Sequence, residues 1–143
     1  MYQKIIVVGN LGGDPEMRYM PDGTAVTNFS LATNRRWTDG ATGQPRDETT
    51  WFRVSVWRKQ AEVANQYLSK GRRVLVEGRL RPDPASGGPR TFTRQDGTVG
   101  ASYEITADSI QFLGGREEGG GYEGGGEENH QDSPAAEEDD IPF

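Results

Sequence analysis

The composition of this chain changes abruptly at Gly114-Gly115, and this change limits how much of the chain can fold. Beyond that point the residues are mostly Gly, Glu, Asn, Gln and Ser, with the run GGGYEGGG near the centre. Such a segment cannot bury enough apolar surface to offset the entropy lost on ordering. We therefore predict a folded domain over residues 1–113. A disordered tail follows, with a Gly/Glu-rich linker over 114–134 and an acidic tip over 135–143.

The charge is divided at the same boundary. Residues 1–113 hold 15 Lys+Arg against 12 Asp+Glu, whereas residues 114–143 hold one arginine against ten acids. The net charge of −6 therefore combines a mildly basic body at +3 with a strongly acidic tail at −9. A tail of that charge can compete for whatever ligand the body attracts.

The residue types exclude several kinds of site. There is no cysteine, and the single histidine, His130, lies in the tail, so neither a cysteine metal site nor a histidine triad is expected. No Gly-Lys-Ser/Thr follows Gly12-Gly13, and the carboxylates are scattered, so we expect a non-enzymatic protein without metal or cofactor. No apolar run suits a signal peptide or a membrane span, which predicts a soluble intracellular protein.

Residues 1–113 are predicted to be mainly strands. Hydrophobic alternation and turn residues give strands over 2–11, 24–35, 49–57, 72–81 and 102–112, one helix over 59–70, and loops over 38–45 and 82–89. Three strands, a helix and two further strands are the order of an all-β, five-stranded Greek-key barrel, the OB-fold. The expected core-facing residues include Phe29, Leu31, Ala61, Ala64, Leu68, Val74, Val76 and Leu80. The first strand is apolar on both faces through Ile5-Ile6-Val7-Val8. It is therefore either buried on both sides or covered by a partner subunit.

The strand Trp51-Phe52-Arg53-Val54-Ser55-Val56-Trp57 indicates a binding function. Side chains alternate along a strand, so Phe52, Val54 and Val56 form a core face. Trp51, Arg53 and Trp57 then share the opposite face. Bases stack on aromatic rings and phosphates attract cations, so this second face suits single-stranded nucleic acid. The alternative is a shifted phase in which the tryptophans fill the core.

Other arginine and aromatic residues repeat this chemistry. Trp37 follows Arg35 and Arg36 at the edge of a loop, and Phe92 lies between two arginines in another loop. Arginine outnumbers lysine 13 to 3, and its guanidinium can stack on bases as well as pair with phosphate. The fourth strand adds three arginines on its polar face. The candidate DNA-binding residues are therefore Arg35, Arg36, Trp37, Trp51, Arg53, Trp57, Arg73, Arg79, Arg81 and Phe92.

The last residues of the chain are predicted to bind a partner protein. In the run Glu138-Asp139-Asp140-Ile141-Pro142-Phe143, an apolar anchor follows three acids at the end of a soft tether. Gly-rich chains span about 5–6 Å times the square root of their length, so the linker would let this tip reach roughly 25–30 Å.

Short runs along the whole chain match one known family. They are Val8-Gly9-Asn10-Leu11-Gly12, Asp14-Pro15-Glu16-Met17-Arg18-Tyr19, Ala32-Thr33, Trp51-Phe52-Arg53-Val54, Leu68-Ser69-Lys70-Gly71, Val76-Glu77-Gly78-Arg79-Leu80 and the terminal Asp-Asp-Ile-Pro-Phe. On these runs the chain resembles the bacterial single-stranded DNA-binding proteins over nearly its full length.

The resemblance implies an OB-fold that forms a homotetramer through its first strand and wraps single-stranded DNA without sequence preference. The stacking aromatics of the family fall on Trp37, Trp51 and Trp57, and the fourth aligns with Phe92 after an extra segment at 82–89. The resemblance also implies that the acidic tip docks onto replication, recombination and repair enzymes. Such a protein would be cytoplasmic and associated with the nucleoid. The residues themselves leave open an RNA-binding OB module, a nuclease or a pure protein adaptor.

Overall fold

The computed structural model describes residues 1–114. In chain order its elements are β1 (Ile5–Leu11), β2 (Glu16–Tyr19), β3 (Ala25–Thr38), β4 (Pro45–Trp57), α1 (Lys59–Tyr67), β5 (Arg73–Leu80), β6 (Arg90–Thr93) and β7 (Val99–Leu113). Apart from Gly114, the linker and the tip with its candidate partner-binding residues 138–143 lie outside the described residues, and their predictions stay untested.

Five of these strands close into a barrel. β1 pairs with β5, β5 with β7, β7 with β4 and β4 with β3, and β3 returns to β1 at the Asn10–Ala32 and Leu11–Leu31 pairs. Between residues 1 and 114, the β4–β7 pairing is parallel and the others are antiparallel. A closed five-stranded barrel with its helix between the third and fourth barrel strands is the OB-fold, so the predicted fold is confirmed. Two further strands were not predicted. They are β2, which pairs with β3, and β6, which pairs with β7.

The core lies inside this barrel and is built from alternate residues of each strand. Its members are Val7, Leu11, Phe29, Leu31, Val54, Val56, Ala64, Leu68, Val74, Val76 and Ile105. Burying a Val, Leu, Ile or Phe side chain stabilises a fold by about 1.5–3 kcal/mol. The helix docks through the predicted Ala61, Ala64 and Leu68 stripe, and the buried Thr27 hydroxyl donates a hydrogen bond to the Ala61 carbonyl oxygen at 2.6 Å.

Several boundaries differ from the predictions. β3 and β4 pair without interruption out to Thr38 and Pro45, so the loop between them is shorter than the predicted 38–45. The polar residues there carry no apolar alternation, and their strand conformation comes from cross-strand hydrogen bonding instead. The helix ends at Tyr67 and not at residue 70. The segment 82–89 lies between strands, as predicted.

Leu80 is not buried in the core as predicted, because it is the last residue of β5. The register against β7 shifts between Glu77 and Gly78, and Leu80 remains 41% exposed. The two backbones approach closely at this point: a Cβ on Gly78 would lie 2.2 Å from the Thr106 carbonyl oxygen. The extra residue, Asp108, lies in β7 between Ala107 and Ser109, so the bulge changes which side chains of β7 point inward.

β1 is not buried on both faces within one chain. Val7 is in the core, whereas the neighbouring Ile6 and Val8 are 60% and 46% exposed. The first of the two alternatives for this strand is therefore wrong, and cover by a partner subunit stays a prediction.

Candidate nucleic-acid interface

The outward face of β4 carries two tryptophans. Trp51 is 53% exposed with Arg53 exposed beside it, and Trp57 is half-buried at the strand end. Val54 and Val56 point the other way and are fully buried. The predicted alternation is confirmed, and the shifted-phase alternative is wrong. Six residues of extended strand separate the two indoles by about 20 Å.

Trp51 forms part of an open groove of about 760 Å³, which we call the Trp51 groove. β4 supplies Trp51 and Arg53, while β6 and the residue after it supply Phe92 and Arg94. The β1–β2 loop, the middle of β3 and the start of β7 complete the groove. It therefore brings two aromatic rings and two guanidinium groups together, the combination that binds bases and phosphates of a single strand.

Phe92 lies in β6 and not in the predicted loop. The strand pairs with β7, which sets Phe92 opposite Gly100. The guanidinium carbon of Arg94 is 5.4 Å from the centroid of the Phe92 ring, a cation–π distance. A strand of four exposed residues has too little pattern to be recognised alone, because pairing with β7 is what defines it.

Trp57 lines a second groove of about 900 Å³, which we call the Trp57 groove. Arg58, Lys59 and Arg79 line it too. The Arg79 Nε atom is 3.8 Å from a carboxylate oxygen of Asp108, so part of its charge is neutralised within the protein. Two of the candidate DNA-binding residues, Trp57 and Arg79, thus line the same groove. Trp57 lies at the opposite end of the β4 face from Trp51.

Ser55 lies between the two grooves on the same face of β4. Its hydroxyl donates a hydrogen bond of 2.6 Å to the side-chain oxygen of Asn28 on β3. Ser55 and Asn28 therefore set polar side chains on the β3–β4 surface between the two tryptophans of β4.

Trp37 does not share the face of Trp51. Ala32 lies opposite Trp51 in the β3–β4 register, so Trp37, five residues further along, points to the other face of the hairpin. It is the next-to-last residue of β3, at the edge of the loop as predicted, and the Arg35 guanidinium carbon is 4.9 Å from its ring centroid. Arg36 pairs with Asp47 at 3.7 Å.

Arg73 and Arg81 line neither groove. Arg73 begins β5 beside Tyr67, at the opposite end of that strand from Arg79. Arg81 follows the last residue of β5 and borders a separate cavity of about 270 Å³. The three arginines predicted on one face of this strand are therefore not brought together, because Arg73 and Arg79 lie at opposite ends of β5 and Arg81 lies beyond its last residue.

Three cations in the grooves, Arg58, Lys59 and Arg94, were not among the candidate residues. Arg94 could have been found from its place two residues after the candidate Phe92, because an extended backbone sets side chains two residues apart on one face. No pattern in the sequence marks Arg58, whose position depends on how β4 joins α1.

The acids near the grooves are held by hydrogen bonds within the protein. Asp14 accepts a 2.9 Å hydrogen bond from the backbone N–H of Lys70. Hydrogen bonds from Thr24 lower the pKa of Asp22, and the charge of Arg58 adds to this effect. Residues 1–114 contain no cluster of three or more His, Cys, Asp or Glu side chains able to hold a metal ion. The one helix described there is too short and too polar to cross a membrane.

Comparison with known proteins shows similarity to one protein family and to solved structures. The model of the single-strand binding protein family matches residues 2–113. Among solved structures, the chain is similar to the Plasmodium falciparum SSB in complex with ssDNA, with 29% sequence identity and a TM-score of 0.65. The alignment covers 80% of this chain and 97% of that chain.

Proposed function

This chain belongs to the single-strand binding protein family, and we propose that it binds single-stranded DNA along the β3–β4 surface. The observation that carries the proposal is the Trp51 groove, where Trp51 and Phe92 lie with Arg53 and Arg94. Similarity to the Plasmodium falciparum SSB complexed with ssDNA supports the same ligand. The protein would act by binding and protecting the strand, without catalysis.

Binding of this kind does not depend on base sequence. Every base has a π face, and stacking on an aromatic side chain contributes about 1–3 kcal/mol per base. Arginines beside the rings neutralise phosphates and release counterions, so affinity should fall as salt rises. We propose Trp51 and Trp57 as two stacking sites on one strand path, with Phe92 facing Trp51 across the groove. Trp37 lies on the other face of the hairpin, so it would contact the bound DNA only where the DNA passes around the edge of the hairpin.

A fluorescence titration tests the stacking proposal. Oligo-dT should quench the tryptophan emission of the protein, because a base stacked directly on an indole ring quenches the excited state of that ring. Trp51→Ala should weaken binding by about 5- to 150-fold, which is 1–3 kcal/mol, while Trp51→Phe, which keeps an aromatic face, should lose less. Undiminished affinity of Trp51→Ala would contradict the proposal. Equal or tighter binding to an RNA of the same length would favour an RNA-binding module.

We also propose that several copies of the chain assemble, as the homotetramer that the resemblance implies. On the outer barrel face, Ile6 and Val8 are exposed and flank the half-buried Leu75, to which Val8 is paired. Glu77 on this face is already bonded to Ser109 and Lys4, at 3.2 and 3.8 Å. An apolar patch whose central acid is satisfied can be covered by a second copy without leaving a buried charge unpaired.

The acidic tip, residues 138–143, is proposed to recruit replication, recombination and repair enzymes to the bound strand, in the cytoplasm at the nucleoid. Ile141, Pro142 and Phe143 would supply the apolar contact, and the acids Glu138, Asp139 and Asp140 would pair with basic residues of the partner. Deleting Phe143 should abolish capture of these enzymes and leave the affinity for oligo-dT unchanged. Capture that survives the deletion would contradict this role.

A further inference from the structure

Gly12 leaves the space that the Trp51 ring occupies. A Cβ atom on Gly12 would lie 2.5 Å from Cζ3 and 2.8 Å from Cη2 of Trp51. Real Cβ atoms do not approach other heavy atoms this closely, so any other residue at position 12 would displace the indole. The backbone itself does not require glycine here, because Gly12 lacks the positive φ seen at Gly23 or Gly71.

Gly100 does the same for the opposite wall of the groove. It is buried, and a Cβ there would lie 2.7 Å from Cζ of Phe92 and 2.8 Å from Nη2 of Arg94. Phe92 and Gly100 are directly opposed in the β6–β7 register. An aromatic side chain that covers a cross-strand glycine is held against the sheet by that contact. Gly100 also lacks a positive φ.

We propose that Gly12 and Gly100 are positioning residues for nucleic-acid binding: each lets one ring rest against bare backbone and so holds it in the groove. This inference depends on the proposed binding of single-stranded DNA. A ring already fixed in its bound position loses less side-chain entropy when a base stacks on it, which saves roughly 0.5–1.5 kcal/mol per side chain, or about two- to tenfold in affinity. The glycines therefore act through Trp51 and Phe92 and need not touch the ligand.

The adjacent glycine provides a matched control for the first position. Gly13 has no heavy atom within 4 Å of its Cβ position and also lacks a positive φ. Gly12→Ala and Gly13→Ala therefore make the same chemical change one residue apart, and only the first should reach the indole. In the full-length protein, Gly12→Ala should weaken oligo-dT binding about two- to tenfold, and Gly13→Ala should leave it unchanged.

A double-mutant cycle separates positioning from a general loss of fold. Phenylalanine lacks the outer ring of the indole, which holds the two clashing atoms. Gly12→Ala should therefore cost little or no affinity in a Trp51→Phe background. If Gly12→Ala alone does not fold, the affinity of the double variant can still be compared with that of Trp51→Phe. Equal costs in both backgrounds would contradict positioning through Trp51.

A spectroscopic readout needs no DNA. In a Trp37→Phe, Trp57→Phe background Trp51 is the single tryptophan, since the chain has three. Gly12→Ala should lower its fluorescence anisotropy and Gly13→Ala should not. Equal anisotropy and equal oligo-dT affinity for the two alanine variants would overturn the inference. If the unmutated protein does not bind oligo-dT but the anisotropy falls as expected, the proposed function fails while the ring placement stands.

Discussion

At the scale of single residues, Arg58 stands out by its backbone. Its φ of 61° and ψ of −134° lie in a region that favours glycine, and within residues 1–114 no other non-glycine residue has a positive φ. Such a conformation costs about 1–3 kcal/mol and persists only where the surroundings impose it. Here the Arg58 N–H donates a 2.8 Å hydrogen bond to the Ala25 carbonyl oxygen, which fixes the junction between β4 and α1. The strained junction sets an arginine at the Trp57 groove.

Replacing Arg58 should therefore move stability and binding in opposite directions. Arg58→Gly removes the steric strain and should raise the free energy of unfolding by about 1 kcal/mol, a gain of roughly 4 °C in Tm. Loss of the cation should weaken oligo-dT binding at low salt. Thermal unfolding and titration measure the two effects. Arg58→Ala, which loses the charge but keeps the Cβ, should weaken binding without the stability gain. A lower Tm for Arg58→Gly would show that the side chain stabilises the fold.

At the scale of elements, the far end of the β3–β4 hairpin depends on polar contacts. Asp39 accepts a hydrogen bond from the Ala41 N–H at 2.9 Å and pairs with Arg46 at 3.3 Å. These hydrogen bonds, that of Ala41 foremost, lower the pKa of Asp39. A carboxyl group with a lowered pKa stabilises the turn at pH values above its unfolded pKa of about 3.9. That contribution is lost as the pH falls through the lowered value.

The turn should therefore keep its structure at pH values where aspartate side chains with an ordinary pKa have already begun to take up a proton. We expect the Asp39 carboxyl, followed by NMR, to titrate below pH ~3.9, and the Ala41 amide shift to follow the same curve. Asp39→Asn keeps an oxygen acceptor but cannot ionise, so this pH dependence of the Ala41 amide should disappear. A midpoint at or above the ordinary value would contradict the hydrogen-bonded turn.

What the sequence could predict depends on whether a residue belongs to an apolar alternation. The phase of β4 was predictable because Val54 and Val56 must be buried, which leaves Trp51 outside. The face of Trp37 was not predictable, because its neighbours are polar and only the pairing with β4 orients it. β6, the bulge in β7 and the strained Arg58 likewise depend on contacts between distant segments. The fold followed from local patterns, and the composition of the Trp51 groove required the tertiary structure.

At the scale of the whole molecule, the outer face of β1 makes a prediction about assembly. Ile6→Asp would place a charge on the exposed apolar patch, and burying it against a second copy would cost several kcal/mol. Light scattering should show a smaller species than the unmutated protein. Val99→Asp is the matched control, since Val99 is an apolar residue that is 69% exposed on the β6–β7 hairpin and not on β1. This variant should assemble like the unmutated protein. Identical masses for the unmutated protein and Ile6→Asp would rule out this face as the interface.

The division of charge along the chain makes the last prediction, which concerns how the tail regulates the body. Residues 1–113 carry +3 and residues 114–143 carry −9, so the tail can compete with phosphate for the arginines that line the two grooves. Removing residues 114–143 should tighten oligo-dT binding at ~0.01 M salt, where the Debye length is about 30 Å. The difference should nearly vanish at ~1 M salt, where that length is about 3 Å.

Two further variants separate the charge of the tail from its length and its tip. Replacing its ten acids by Asn and Gln keeps the length and should tighten binding as much as truncation does. Deleting Phe143 keeps the side-chain charge and should leave affinity unchanged. If truncation tightens binding but neutralisation does not, the tail acts by steric exclusion. If neither changes affinity at low salt, the tail does not compete for the grooves. If the tail does compete with DNA, bound DNA would displace the tail from the grooves. The tip would then be most available to partner enzymes when the grooves are filled with DNA.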